Sequence, residues 1–194
     1  MLKNWIIYLV GPGGVGKLTV ARQLARAAGC KVVDNHYWLN PIFGLLHQDG
    51  VTPLPKGIWP LADQVRSAVL ETIAAYSPPD WSFVFTHSAV GIPDYYAADM
   101  IIARGLASVA ERRRARKLAV RLTCAPDELM RRIATPERRD QMKGCDTEEA
   151  RINASLPPFD PGWPETMTVD TTNLTAQQTT ERVMARTKEV TAPT

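Results

Sequence analysis

Trp5-Ile6-Ile7-Tyr8-Leu9-Val10, then Gly11-Pro12-Gly13-Gly14-Val15-Gly16-Lys17-Leu18-Thr19, is the stretch from which the architecture is read. Six consecutive apolar or aromatic residues describe a strand buried on both faces. After the loop, Val20, Leu24 and Ala28, with Ala21 and Ala25, form a helical stripe. Between strand and helix stands G-x-x-x-x-G-K, whose glycines let successive backbone N–H groups turn inward toward anionic oxygens. Pro12 stiffens the turn, the start of the helix contributes its positive end, and Lys17 adds a mobile ammonium. A phosphate group satisfies all three features, and a neutral ligand gains little from them. One position departs from the pattern. Leu18 follows the lysine where Ser or Thr normally supplies a hydroxyl to magnesium, and Thr19 comes one residue later.

Alternation continues along the chain. Lys31 to Asp34 reads as a short second strand ending in a carboxylate, and Ile58 to Tyr76 as a helix with Leu61, Val65, Ala68, Val69 and Ile73 on one side. Trp81 to Thr86 reads as a third strand, Asp94 to Arg114 as a helix and Leu118 to Thr123 as a fourth strand. Pro126 opens the next helix at its favoured first position, Met167 to Asp170 is a fifth strand, and Thr175 caps the last helix. Strands alternating with helices predict an α/β fold, a parallel sheet with helices on both faces. Ligands of such sheets gather beyond the C-terminal strand ends. That rule brings together Gly11 to Thr19, Asp34 to His36, Thr86 to Ser88, and Asp170 to Thr172.

The 194 residues, 45% apolar and 22% charged, suit one domain over 1–194. A net charge of +3 makes no general case for nucleic acid or an anionic membrane. No apolar run approaches the ~20 residues that span a bilayer. The first strand starts too early to leave room for a cleavable leader, and the expectation is a cytoplasmic protein. Cys30, Cys124 and Cys145 lack metal-ligand spacing and read as reduced thiols. The run Glu111 to Lys117 invites a nucleic-acid reading. Its position at a helix C-terminus, without aromatic neighbours to stack bases, argues for a solvated helix end instead.

Two segments interrupt the scaffold. An excursion over about 35–60, dense in Pro and Gly from Asn40 to Gly57, is expected to cover a substrate. A basic segment over about 131–162 carries Arg131, Arg132, Arg138, Arg139, Lys143 and Arg151, and ends in a Pro-rich tract. It reads as a mobile flap.

The phosphate loop, together with Leu122-Thr123-Cys124-Ala125-Pro126-Asp127-Glu128-Leu129-Met130-Arg131-Arg132, resembles the P-loop kinases, among them adenylate, shikimate and gluconate kinases and chloramphenicol phosphotransferase. Gly16 to Ala21 is also similar to shikimate-kinase-like ATPases. The resemblance implies a three-layer P-loop NTPase fold with a five-stranded sheet in the order 2-3-1-4-5 and an arginine-bearing lid. It implies ATP and Mg2+ as cofactors and a small-molecule acceptor as the other ligand. Gly11, Gly13, Gly14, Val15, Gly16, Lys17, Leu18 and Thr19 would then hold the nucleotide, with Thr19 at the α-phosphate and Asp170, Thr171 and Thr172 at a further strand end. Lys17 and at least one of Arg132, Arg138 and Arg139 would stabilise charge on the phosphoryl group in transit. Asp34 is the candidate to orient an acceptor hydroxyl, or to hold magnesium through water. His36 and His87, just beyond strand ends, are candidates for substrate contact.

The third strand lacks a terminal acid for magnesium, as the loop lacks its hydroxyl. Two functions follow: ATP-dependent phosphotransfer to a small acceptor, or a nucleotide-binding regulatory module with little transfer. A nucleoside monophosphate kinase is a nearer alternative, weakened because residues 35–65 contain no arginine and only Lys56 is basic. Whether the chain acts as a monomer or a dimer is open at this level.

Overall fold

A computed structural model describes residues 1–47, 52–134 and 146–190. Arg138, Arg139, Lys143 and Cys145 lie outside the described residues.

Five parallel strands form one sheet: β1 (Trp5–Gly11), β2 (Lys31–Val33), β3 (Phe83–Ser88), β4 (Arg116–Thr123) and β5 (Thr166–Asp170). Their order is β2-β3-β1-β4-β5. The helices are α1 (Lys17–Ala28), α2 (His36–Phe43), α3 (Trp59–Ala75), α4 (Pro93–Arg112), α5 (Pro126–Ile133), α6 (Thr147–Ser155) and α7 (Ala176–Glu189). Every β1 residue is buried because the strand is central and covered on both sides. Alternate β1 side chains divide the core. Ile7 and Leu9 pack with Val20, Leu24, Leu118, Val120 and Val183, while Ile6, Tyr8 and Val10 pack with Phe85, Ala103 and Leu106.

Local chemistry sets the helix ends. Gly16 (φ 100°) and Gly29 (φ 74°) bracket α1 in the left-handed region. The Asp146 side chain accepts from the N–H groups of Glu148 and Glu149 at the start of α6, and Thr175 with Gln178 forms a reciprocal capping box on α7. The start of the excursion is helical: α2 carries Pro41 inside it and buries Trp38 and Phe43. The end of the basic segment is packed as well. Phe159 and Trp163 are buried, Gly91 N donates to Pro157 O at 2.9 Å, and Trp163 Nε1 donates to Ala103 O at 3.3 Å. The expected mobile flap is therefore firmly seated at its C-terminal end.

The strand boundaries hold one consequential difference. β3 starts two residues later than the sequence reading and runs on through His87 and Ser88, which pair with Val10 and Gly11 of β1. His87 is consequently a strand residue with a fixed facing.

Candidate active site

Along the C-terminal edge of the sheet lies a cleft of about 630 Å³. Its walls come from the loop at Gly13–Thr19, from Asp34, Asn35 and His36, from Thr86 and Ser88, from Arg132, and from Thr171. Residues scattered over the whole sequence thus meet where the sheet geometry demands.

The loop is shaped by close packing from behind. Gly11 has φ 151°, and a Cβ there would run into the Leu122 carbonyl oxygen. At Gly14 (φ 85°) a Cβ would lie 2.6 Å from Ile133 Cγ1 of α5, so the loop and α5 are in direct contact. No acidic side chain occupies the first turn of α1 and no side chain caps it, which leaves the positive helix end directed at the cleft. Lys17 Nζ donates to the carbonyls of Gly11 and Pro12 at 2.7 Å each, arching over the loop. Leu18 and Thr19 both reach the cleft wall.

Opposite the loop stands Asp34, immediately after β2. Thr86 Oγ1 donates to its Oδ1, and the same hydroxyl accepts from Asn35 N at 3.1 Å. A side chain at the end of β3 therefore fixes the carboxylate at the end of β2. His36 also lines the cleft, its Nδ1 lying 3.0 Å from Asn40 Oδ1.

His87 corrects the reading of it as a substrate residue. It faces the opposite side of the sheet from Thr86 and Ser88, buried at 5% exposure. Its Nδ1 is 2.6 Å from Tyr8 Oη and its Nε2 is 3.2 Å from Asp99 Oδ1. Burial pushes the imidazole pKa down more than Asp99 pulls it up, so the ring is neutral near pH 7. A neutral ring satisfies both contacts when Tyr8 O–H donates to Nδ1 and Nε2–H donates to Asp99. Burial likewise pushes the Tyr8 phenol up.

Of Asp170, Thr171 and Thr172 at the end of β5, only Thr171 lines the cleft. Its hydroxyl lies 2.9 Å from the Thr123 carbonyl and 3.2 Å from that of Val15, tying β4, β5 and the phosphate loop together. Asp170 and Thr172 instead form a turn of their own: Asp170 Oδ1 accepts from Thr172 N at 2.9 Å and from its hydroxyl at 2.5 Å. Those bonds hold the Asp170 carboxyl below its usual range. Neither of these two lines the cleft, and their side chains satisfy local turn bonds.

Arg132 lines the cleft from α5, and its guanidinium is well engaged there. Nε donates to Glu128 at 2.7 Å, Nη2 to the Thr171 carbonyl at 2.9 Å and Nη1 to the Thr171 hydroxyl at 3.2 Å. Arg131 and Arg132 together lower the Glu128 carboxyl to about 2. In this arrangement Arg132 braces the wall between α5 and the end of β5.

Sequence reasoning missed Arg66. It lies one position beyond the arginine-free span 35–65, on α3, with a side chain only 11% exposed and Nη2 2.7 Å from Asp63 Oδ1. Its charge is felt at both Tyr8 and His87. The helical pattern of α3 was readable, but which polar residue of it turns inward depends on packing.

Among the described residues, no group of three His, Cys, Asp or Glu side chains is placed to hold a metal. Three carboxylates, Asp34, Asp146 and Glu149, line the cleft, and Leu18 brings no hydroxyl to it. No helix among the described residues is long and apolar enough to cross a membrane.

A family model described as an AAA domain matches residues 7–153, most of the chain and all of the loop, Asp34 and Arg132. The chain belongs to this AAA-domain, P-loop kinase family. A curated relative, shikimate kinase 2 of Enterobacter sp. (strain 638), is 38% identical over 73 residues, a stretch that spans 38% of each protein. A solved protein from Chloroflexus aurantiacus J-10-fl superposes with a TM-score of 0.66 at 18% identity, covering 98% of this chain and 100% of the other. A gluconokinase from Sinorhizobium meliloti 1021 gives 0.62 at 18% identity, covering 97% and 94%. At such identity the solved structures establish the fold: the AAA-domain chain has the five-stranded 2-3-1-4-5 sheet expected of it.

Proposed function

We propose that the protein is an ATP-dependent phosphotransferase that moves the γ-phosphoryl group to a hydroxyl of a small-molecule acceptor. The observation that carries this reading is the shared cleft: a phosphate cradle with Lys17 on one wall and the Thr86-held carboxylate of Asp34 on the other. Asp34 orients the acceptor O–H and takes its proton as the oxygen bonds to the γ-phosphorus, while the bond to the β-phosphate oxygen breaks and ADP leaves. The loop N–H groups and Lys17 stabilise charge on the transferring group, and Arg138 and Arg139 are proposed to add to this from the basic segment. Arg132 acts as the brace of the nucleotide wall. Magnesium, when bound, neutralises phosphate charge, and Asp34 with ordered water is the protein partner proposed for it.

The kinase names carried by its relatives support a transfer reaction. The polar acceptor side, with Asp34, Asn35, His36, Thr86 and Ser88, suits a hydroxylated molecule. A nucleoside monophosphate would require several cations there, whereas Arg66 is the one guanidinium on α3. A second reading, a nucleotide-binding regulatory module, is favoured by one observation: Leu18 and Thr86 stand where magnesium contacts are usual.

The test is nucleotide turnover over a panel of small hydroxylated acceptors, with and without magnesium, for the wild type and Asp34→Asn. Phosphotransfer predicts one acceptor that accelerates ADP formation well beyond water, and a variant that binds nucleotide as before but loses turnover by about 100-fold or more. Tight, metal-indifferent binding without acceptor-stimulated turnover would establish the regulatory reading.

A further inference from the structure

The Tyr8–His87–Asp99 chain lies outside the cleft, yet its central residue sits between two cleft residues on one strand. Side chains of β3 alternate, so Thr86 and Ser88 face the phosphate loop while His87 faces α4. The edge strand β2 stops early: its last pairing is Val33 with Phe85. From Thr86 onward β3 has a ladder partner on the β1 side only. Its rotation about its own axis is therefore poorly restrained by backbone bonds at the place where Thr86 must hold Asp34. His87 provides a restraint of another kind. Its two nitrogens are tied to Tyr8 on β1 and to Asp99 on α4, at 2.6 and 3.2 Å. A rotation that swings Thr86 away from Asp34 would swing the His87 ring out of both contacts. Arg66 of α3 and Lys17 are the cations whose fields reach His87.

An apolar residue could fill the same space without burying three polar groups, each costly unless partnered. We infer that Tyr8, His87 and Asp99 form a positioning relay that fixes the end of β3, so that Thr86 presents the Asp34 carboxylate to the acceptor. The role for Asp34 rests on the phosphotransferase reading above; the mechanical coupling to Thr86 does not.

The test uses the full chain with Tyr8→Phe, Asp99→Leu and Asp99→Asn. Two readouts are taken: exchange of the Asn35 amide, which bonds Thr86 Oγ1, relative to the Leu9 amide of the central strand, and steady-state kinetics. In Tyr8→Phe and Asp99→Leu the relay predicts Asn35 exchange faster by about tenfold beyond any change at Leu9, and kcat lower by about tenfold with the KM for ATP unchanged. Asp99→Asn keeps an acceptor for Nε2–H and restores most of both losses. Variants that lose thermal stability while Asn35 protection and kcat hold would reduce the chain to ordinary core packing and overturn the relay. If the wild type transfers to no acceptor, the phosphotransferase reading fails and Asn35 exchange alone decides the relay: selective acceleration supports it, and parallel behaviour with Leu9 sinks it.

Discussion

Leu18 and the loop glycines separate two demands that a phosphate cradle makes, ligand chemistry and backbone shape. Leu18 lines the cleft without a hydroxyl, so under the proposed phosphotransfer the usual side-chain contact to magnesium is missing. Leu18→Ser should restore that contact. The expected outcome is a several-fold lower magnesium concentration for half-maximal turnover, with metal-free nucleotide affinity unchanged, measured by magnesium titration and calorimetry. An unaltered magnesium requirement would mean that Asp34 and water carry the ion alone. The glycines test shape. Gly14→Ala combines φ 85° with a Cβ pushed to 2.6 Å from Ile133, and should cost about 2–4 kcal/mol in urea unfolding. Gly16→Ala has open space around the new methyl and bears only the conformational cost of φ 100°, about 1–2 kcal/mol. Equal losses at the two positions would show that contact with α5 contributes nothing.

At the level of elements, the sequence was legible wherever the signal is local. Apolar runs, Pro126, the Thr175 cap and the glycine spacing are short-range patterns, and the strands, α5, α7 and the phosphate loop follow them. Asp34 was legible for the same reason, as a carboxylate at a strand end. What escaped depends on partners remote in sequence. A two-residue displacement of β3 decides whether His87 lies beyond the strand or within it, and the period of two then sends its side chain into the core. Arg66 and the turn at Asp170 are likewise products of packing and local bonding. The basic run Glu111 to Lys117 shows how a charge pattern resolves into structure. Arg112 pairs with Glu71 at the surface, at 2.6 and 2.8 Å. Arg113 reaches back to carbonyls in the last turn of α3 and beyond it, donating to Ile73 at 2.7 Å, Pro78 at 2.8 Å and Trp81 at 3.1 Å. Arg113→Met should therefore lower stability by about 1–2 kcal/mol, because those carbonyls lose a shared donor and are only partly reached by water. Arg112→Met, an exposed pair, should change little. Chemical denaturation of both variants checks the contrast.

The whole molecule is a sheet with two cores, and its pH response should report the one that holds a buried histidine. His87 sits in the α3/α4 core, faced by Tyr8 from β1, Asp99 from α4 and Arg66 from α3, with Lys17 also in electrostatic reach. Burial lowers its pKa in the folded state, whereas in the unfolded chain it returns to about 6.5. The unfolded state therefore binds more protons over the interval between the two values, and stability must fall as pH falls through it. The stabilisation is complete above about 6.5 and is lost progressively below that value, until the folded protein also protonates the ring. The carboxylates behave in the same sense but in a lower window. Glu128, held to about 2 by Arg131 and Arg132, gives up its contribution only in stronger acid, and it contributes weakly because water screens its pairs at the surface. The two windows can be told apart. Melting temperatures of the wild type should decline as pH falls below about 6.5, while His87→Gln, less stable at neutral pH, should be flatter there and converge on the wild type. Both should then fall together at lower pH as the carboxylates protonate. A parallel decline of wild type and variant from pH 6.5 would place the titrating group elsewhere and contradict a neutral His87 in the folded core.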